Sequence, residues 1–82
     1  MYFWKIKVLI LNKKIGIIGG GQLGKMILDE TNKMGIPVSI LDPSIDSPCS
    51  NLSHNFIQGD FKDYDTILNF GLKHDIISYE IE

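Results

Sequence analysis

A run of three glycines at positions 19–21, followed by Gly24, is the clearest candidate for ligand binding in this chain. The run follows an apolar segment and precedes helix-compatible residues, a pattern typical of a strand, a tight turn and a helix N-terminus. Glycine allows positive φ and close approach by a ligand, and the amides at a helix N-terminus suit an anion such as phosphate. We therefore predict a nucleotide or sugar-phosphate site that includes Gly20, Gly21 and Gly24.

The spacing Gly19-x-Gly21-x-x-Gly24 also matches the dinucleotide-binding fingerprint, which is weak evidence when it stands alone. Asp42 lies about twenty residues further on, where such folds place an acidic residue against a ribose hydroxyl. The alternative is that Asp42 only initiates a turn with Pro43. The residues leave both interpretations of Asp42 open.

Strands and helices must position these residues, and the hydrophobic pattern predicts them in the order β-α-β-β-α-β. The predicted strands cover residues 15–18, 38–41, 56–58 and 76–79. The first helix runs from Gln22 to Met34 with Gly35 as its C-terminal cap, and the second is capped by Asp60 and runs to about Lys73. The residues predicted to be buried are Leu23, Met26, Ile27 and Met34 on the first helix and Tyr64, Ile67, Leu68 and Leu72 on the second.

Short crossovers of this kind predict an α/β fold, a small Rossmann-like parallel sheet with strand order 3-2-1-4 flanked by helices. Such sheets bind ligands beyond the carboxyl ends of their strands, where the strand order reverses. That point lies between the first and fourth strands, so we expect Glu80 to share a crevice with the glycine loop. Its carboxylate would accept hydrogen bonds from a ligand hydroxyl or amine. The alternative is an exposed polar residue near the terminus, and Glu82 is expected to point elsewhere.

Composition limits the chain to one small domain, because 82 residues cannot form a second complete core. The net charge is -2 and all eight basic residues are lysines, so we expect no nucleic-acid partner. A phosphate must then be held by backbone amides or a lysine point charge. Cys49 is the only cysteine, which fits a reducing cytoplasm, and no metal-ligand pattern accompanies His54 or His74.

Residues 1–13 form an N-terminal extension of uncertain structure, preceding a domain that covers residues 14–82. The apolar stretch of residues 1–11 is too short to span a bilayer, and no cleavage site follows it. We therefore expect no membrane association. The alternation at Ile6, Val8 and Ile10 predicts an extra edge strand. The alternatives are a disordered extension or a start codon placed too early.

Four motifs carry a resemblance to a known family. IGIIGGGQLGKMI, VSILDPSIDSPC, FIQGD and SYEIE, in that order, resemble the N-terminal domain of 5-(carboxyamino)imidazole ribonucleotide synthase, the pre-ATP-grasp domain of an ATP-grasp ligase. The resemblance covers residues 14–82. A related formate-dependent transformylase is similar in layout but has Glu where this chain has Gln22.

The resemblance implies an ATP- and bicarbonate-dependent carboxylation of aminoimidazole ribonucleotide in purine (IMP) biosynthesis. It implies that Gln22, Leu23 and Glu80 contact the ribonucleotide, and it suggests a weaker role for Lys25 near the phosphate. Full-length members of the family are often homodimeric. They bind ATP and magnesium through ATP-grasp domains, which this chain lacks.

We therefore expect this chain to be a fragment without ligase activity, with no cofactor of its own and no catalytic residue. Two alternatives remain from the sequence. One is an NAD(P)-binding Rossmann domain of an oxidoreductase, supported by the glycine spacing and Asp42. The other is a non-catalytic interaction module.

Overall fold

A computed structural model of the protein describes residues 13–81. The elements in chain order are β1 (Ile15–Ile18), α1 (Gln22–Lys33), β2 (Val38–Asp42), β3 (Asn55–Gln58), α2 (Tyr64–Leu72) and β4 (Ile76–Tyr79). The β-α-β-β-α-β order is confirmed. The strand considered for Ile6, Val8 and Ile10 falls outside the described residues.

The four strands form one parallel sheet in the order β3-β2-β1-β4, as predicted. Ile17 of β1 lies between Ile40 of β2 and Ser78 of β4 in the register. The central strands are therefore β1 and β2, and their carboxyl ends carry the glycine loop and Asp42.

Each face of the sheet carries its own apolar core. On the α1 face, six fully buried residues form one cluster: Ile17, Leu28, Ile36, Val38, Ile40 and Cys49. On the α2 face a smaller cluster contains Ile18, Leu41 and Phe70. Alternate residues of β1 and β2 point to opposite faces, so each of these strands contributes to both cores.

The face that α1 buries differs from the prediction. Gly24 and Leu28 are its buried residues, whereas Leu23 and Met26 are 46% and 64% exposed. Ile27 and Met34 pack against the core as predicted. Because residues four apart share a helix face, the close approach of Gly24 to the glycine loop turns Leu28 toward the sheet and Met26 away from it.

The second helix also begins later and buries a different face than predicted. Asp63 occupies the N-cap position before Tyr64, while Asp60 accepts a hydrogen bond from the Lys62 N–H in a preceding turn at 2.9 Å. Phe70 is the buried residue of the helix, and Ile67 packs beside it. The predicted burial was wrong for three residues that are 41–75% exposed: Tyr64, Leu68 and Leu72.

Phe70 fixes this orientation because β1 leaves room for it. A Cβ atom on Gly16 would lie 2.7 Å from the Phe70 ring, so the aromatic side chain occupies the space above the strand. Leu68 and Leu72 lie two positions away on either side of Phe70, and residues two apart point to opposite sides of a helix.

Candidate functional site

The glycine loop connects β1 to α1 at the carboxyl end of the sheet. Gly19 has φ of +118° and donates its N–H to the Leu41 carbonyl at 2.8 Å. A Cβ atom there would collide with the carbonyl oxygen of Glu80, and one on Gly24 would lie 2.5 Å from the Gly19 carbonyl oxygen. The loop therefore fits closely between α1 and the end of β4, which only glycine permits at these two positions.

Asp42, at the end of β2, is hydrogen-bonded to the backbone of the glycine loop. Its Oδ2 accepts a hydrogen bond from the Gly20 N–H at 2.7 Å, and its Oδ1 accepts one from the Ser44 N–H at 2.9 Å. The residue is only 9% exposed. The turn predicted for Asp42 and Pro43 is thus present, but sequence reasoning missed the bond to Gly20, 22 residues away. No local pattern reports such a contact.

A cleft of about 180 Å³ opens beside the loop at the carboxyl ends of β1 and β4. Its walls contain two carboxylates, two loop glycines and two apolar side chains: Asp42, Glu80, Gly19, Gly21, Phe61 and Ile81. The strand order brings together Gly21 and Glu80, which are far apart in the sequence. Whether these residues bind a ligand remains a prediction.

Glu80 is fixed in the cleft by its backbone and by one neighbour. Its N–H donates to the Ile18 carbonyl at 2.8 Å, which continues the pairing between β1 and β4. Its Oε2 accepts a hydrogen bond from the Ser78 hydroxyl at 2.6 Å. A partly buried carboxylate held in this way is suited to accept further hydrogen bonds from hydroxyl or amine groups.

The other predicted residues lie around the helix N-terminus. Gln22 and Leu23 are the first two residues of α1, and their side chains are exposed on the helix surface. The Lys25 ammonium group pairs with Asp29 at 3.1 Å along the same helix. Its charge is therefore partly compensated within α1 rather than directed into the cleft.

Cys49 supports the loop from the α1 side and was not among the predicted site residues. It is completely buried, and its N–H donates to the Gly20 carbonyl at 3.1 Å. Burial, with a smaller contribution from the Asp42 charge, raises the pKa of the Cys49 thiol to about 11. The thiol is therefore neutral at physiological pH, and Cys49 acts as a packing residue.

A second hollow, of about 230 Å³, lies at the opposite end of the sheet near Lys14, His54 and His74. It is distant from the glycine loop because it lies at the amino ends of the strands. Among residues 13–81, no three or more metal-ligating side chains come together, and no helix in that range is long and apolar enough to cross a membrane.

Comparison with known proteins places this geometry in a family. Residues 12–82 match the model of the ribonucleotide synthetase preATP-grasp domain. The chain is 48% identical over all 82 residues to the N5-carboxyaminoimidazole ribonucleotide synthase of Staphylococcus aureus strain COL. It is 46% identical over the same length to the synthase of Staphylococcus haemolyticus. It spans 21% of the length of each of these relatives.

Solved structures agree with the sequence comparison. The crystal structure of the Staphylococcus aureus N5-carboxyaminoimidazole synthetase complexed with ADP superposes with a TM-score of 0.78 at 47% identity, covering 88% of this chain and 20% of that one. The Thermotoga maritima enzyme superposes with a TM-score of 0.77 at 43% identity, covering 84% of this chain and 19% of that one. The α/β fold with strand order 3-2-1-4 and the resemblance carried by the four motifs are both confirmed, and the chain belongs to the ribonucleotide synthetase preATP-grasp domain family.

Proposed function

We propose that this chain forms part of the ribonucleotide site of an N5-carboxyaminoimidazole ribonucleotide synthase, a ligase of purine biosynthesis. The observation that carries the proposal is the cleft between the glycine loop and Glu80, in a chain 46–48% identical to such synthases. The ligand would be aminoimidazole ribonucleotide. The buried lone cysteine fits the reducing cytoplasm in which we place the protein.

The charges of the cleft suggest how the ribonucleotide is oriented. Asp42 and Glu80 make the cleft walls acidic, and the nearby Lys25 is paired with Asp29. Such walls favour the donor groups of the ligand, its ribose hydroxyls and exocyclic amine, over a phosphate dianion. Glu80 would accept hydrogen bonds from these donors.

The phosphate belongs at the adjacent N-terminus of α1. The N-cap of this helix is Gly21, which has no side chain to cap the first amides, and no acidic residue lies in the first turn. Gln22 contributes the first backbone unit of that turn. An anion at this end is stabilised by the helix dipole and by the direction of the N–H groups.

Magnesium finds no matching donor set in the described part of the chain. Residues 13–81 present no group of three or more carboxylates, histidines or cysteines for a metal ion. We assign the binding of ATP and magnesium to the portion of a synthase that this chain does not match, which is about four-fifths of its length. The chain by itself is then expected to carry out no ligase reaction. An assay with ATP, bicarbonate and aminoimidazole ribonucleotide tests this, and ATP turnover above a boiled control would contradict it.

Binding to the isolated chain is the direct test of the proposed site. Titration of ¹⁵N-labelled protein with aminoimidazole ribonucleotide should shift the amide signals of Gly19, Gly21 and Glu80. Glu80→Gln should weaken binding about tenfold or more, because the side chain loses its negative charge and one of its two acceptor oxygens. Glu30→Gln is the matched control, since Glu30 is an exposed residue of α1 that pairs with Lys33 at 3.5 Å. Equal loss in both variants, or no loss in Glu80→Gln, would refute the role of Glu80.

The dinucleotide-binding alternative is less compatible with Asp42. In that role a carboxylate receives the ribose hydroxyls, whereas Asp42 is only 9% exposed and each of its oxygens already accepts one backbone N–H group, which leaves it about half of its acceptor sites. Fluorescence titration with NADH distinguishes the two proposals, and saturable binding of NADH would favour an oxidoreductase domain. Sedimentation velocity tests the interaction-module alternative, because a monomer without a partner would count against it. The same measurement shows whether the chain forms the dimer that is common in the family.

A further inference from the structure

We propose that Asp42 is a positioning residue, which sets the shape of the glycine loop through the Gly20 N–H and does not itself touch the ligand. The inference rests on the proposed function, because it concerns the same cleft. It reverses the role that the sequence pattern offers for an acidic residue at the end of the second strand.

The hydrogen bonds of Asp42 support this role. The bond between Asp42 Oδ2 and the Gly20 N–H joins the end of β2 to the middle of the glycine loop and is buried. The bond from the Ser44 N–H to Oδ1 prevents the carboxylate from rotating away. Two backbone donors therefore hold both oxygens before any ligand arrives.

Close packing and a second hydrogen bond also restrict Gly20. A Cβ atom on Gly20 would lie 3.2 Å from the Asp42 Cβ and 3.0 Å from the Ser47 hydroxyl. On the other side, the Gly20 carbonyl accepts the Cys49 N–H at 3.1 Å. The peptide before Gly20 is thus hydrogen-bonded to the end of β2, and the peptide after it is hydrogen-bonded to the loop that follows β2. These two bonds fix the backbone orientation at Gly20 and so the path of the chain into Gly21 and Gln22.

The chemistry of the carboxylate gives a specific variant. Asparagine has one acceptor oxygen and one donor NH₂ group, so Asp42→Asn cannot accept from both Gly20 and Ser44. One N–H in this buried position is left without a partner. Asp46→Asn is a matched control, because Asp46 is exposed in the same loop and the substitution removes the same charge.

The test has one arm without ligand and one with it. In the free chain, hydrogen exchange at the Gly20 amide should be at least tenfold faster in Asp42→Ala than in the wild type, because alanine removes both acceptor oxygens. In Asp42→Asn the faster amide should be Gly20 or Ser44, whichever the single side-chain oxygen no longer accepts. The Gly19 amide, which is bonded to the Leu41 carbonyl, should keep its rate in Asp42→Asn, and both amides should keep theirs in Asp46→Asn. An unchanged Gly20 rate in Asp42→Ala would overturn the proposal. If Asp42→Ala fails to fold, Asp42→Glu replaces it, because the longer side chain displaces the carboxylate from Gly20.

The ligand arm uses the wild-type chain and so does not depend on the stability of a variant. With aminoimidazole ribonucleotide at saturation, the ¹³C signal of the Glu80 carboxyl should move and that of Asp42 should stay within the shift seen for Asp46. A movement of Asp42 as large as that of Glu80 would mean direct contact and would overturn the proposal. If no signal moves, the proposed function fails, and the exchange rate of Gly20 alone still decides whether Asp42 positions the loop.

Discussion

The two faces of the sheet are packed to very different extents. On the α1 face, six residues with at most 1% exposure form a continuous core beneath the glycine loop. On the α2 face the cluster has three buried members, and Leu72 and Tyr64 at the outside of α2 are 75% and 74% exposed. The edge strand β4 shares this loose packing, with Tyr79 66% exposed.

This difference separates the two parts of the candidate site. The glycine loop and Asp42 rest on the well-packed α1 face, so their geometry is set within this chain. Glu80 follows β4, an edge strand that pairs with β1 alone and has mostly exposed side chains. We infer that the loop is preformed and that the position of Glu80 is the more easily disturbed of the two.

The largest contrast is expected from truncating one leucine on each helix. Leu28→Ala should lower the free energy of unfolding by about 3 kcal/mol, because Leu28 is completely buried and its loss leaves a cavity. Leu72→Ala should cost less than about 0.5 kcal/mol, since its side chain is mostly exposed. Urea denaturation followed by circular dichroism measures both. Similar costs would show that the faces are packed alike.

Substitution of one glycine on each helix, Gly24 on α1 and Gly71 on α2, also compares the packing of the two faces. Gly24→Ala should destabilise the fold by about 2 kcal/mol, because its Cβ would press on the Gly19 carbonyl oxygen. Gly71→Ala should stabilise it by about 0.5 kcal/mol, since alanine favours helix and nothing lies within 4 Å of the new Cβ. Thermal denaturation of both variants tests this, and a stabilised Gly24→Ala would contradict the close contact of α1 with the loop.

The burial of Cys49 in the core on the α1 face predicts that the free energy of unfolding depends on pH. The pKa of the thiol is about 11 in the fold against 9.0 as the reference, so the unfolded chain loses this proton first. The contribution of the neutral Cys49 thiol to the free energy of unfolding is fully present below pH 9 and is lost as the pH rises from 9 to 11. By pH 10 the loss should reach about 1 kcal/mol.

Cys49→Ala is the control for this pH dependence, because other groups titrate identically in both proteins. Urea midpoints measured between pH 8 and pH 10.5 should converge for the wild type and Cys49→Ala as the pH rises. Parallel curves would show that the thiol is not desolvated.

The smallest effect is expected at the β4 end of the cleft. Ser78→Ala removes the hydroxyl that donates to the Glu80 carboxylate, and the affinity for aminoimidazole ribonucleotide should fall about twofold to threefold. Isothermal titration calorimetry measures the change, with Ser50→Ala as a control in the connection between β2 and β3. A loss as large as that for Glu80→Gln would mean that the position of Glu80 depends almost entirely on this one bond.

Local patterns were sufficient for much of the architecture. The periods of the apolar residues and the short connections predicted every described strand to within one residue, and the parallel order followed from the crossovers. The same order placed Glu80 beside the glycine loop. The helix rotations were not predictable in this way, because Met26 and Leu68 are as apolar as the residues that are buried in their place.

The sequence alone therefore determined the fold and the meeting of the glycine loop with Glu80, since these depend on local periodicity and the handedness of crossovers. It also identified the family, through the resemblance of its four motifs to a known one. The tertiary structure decided which face each helix buries, what Asp42 bonds to and why Cys49 is buried. The physical reason is that these features depend on contacts between distant segments. Gly19 meets Glu80, Phe70 covers Gly16 and Asp42 reaches Gly20 only because the sheet brings these segments together.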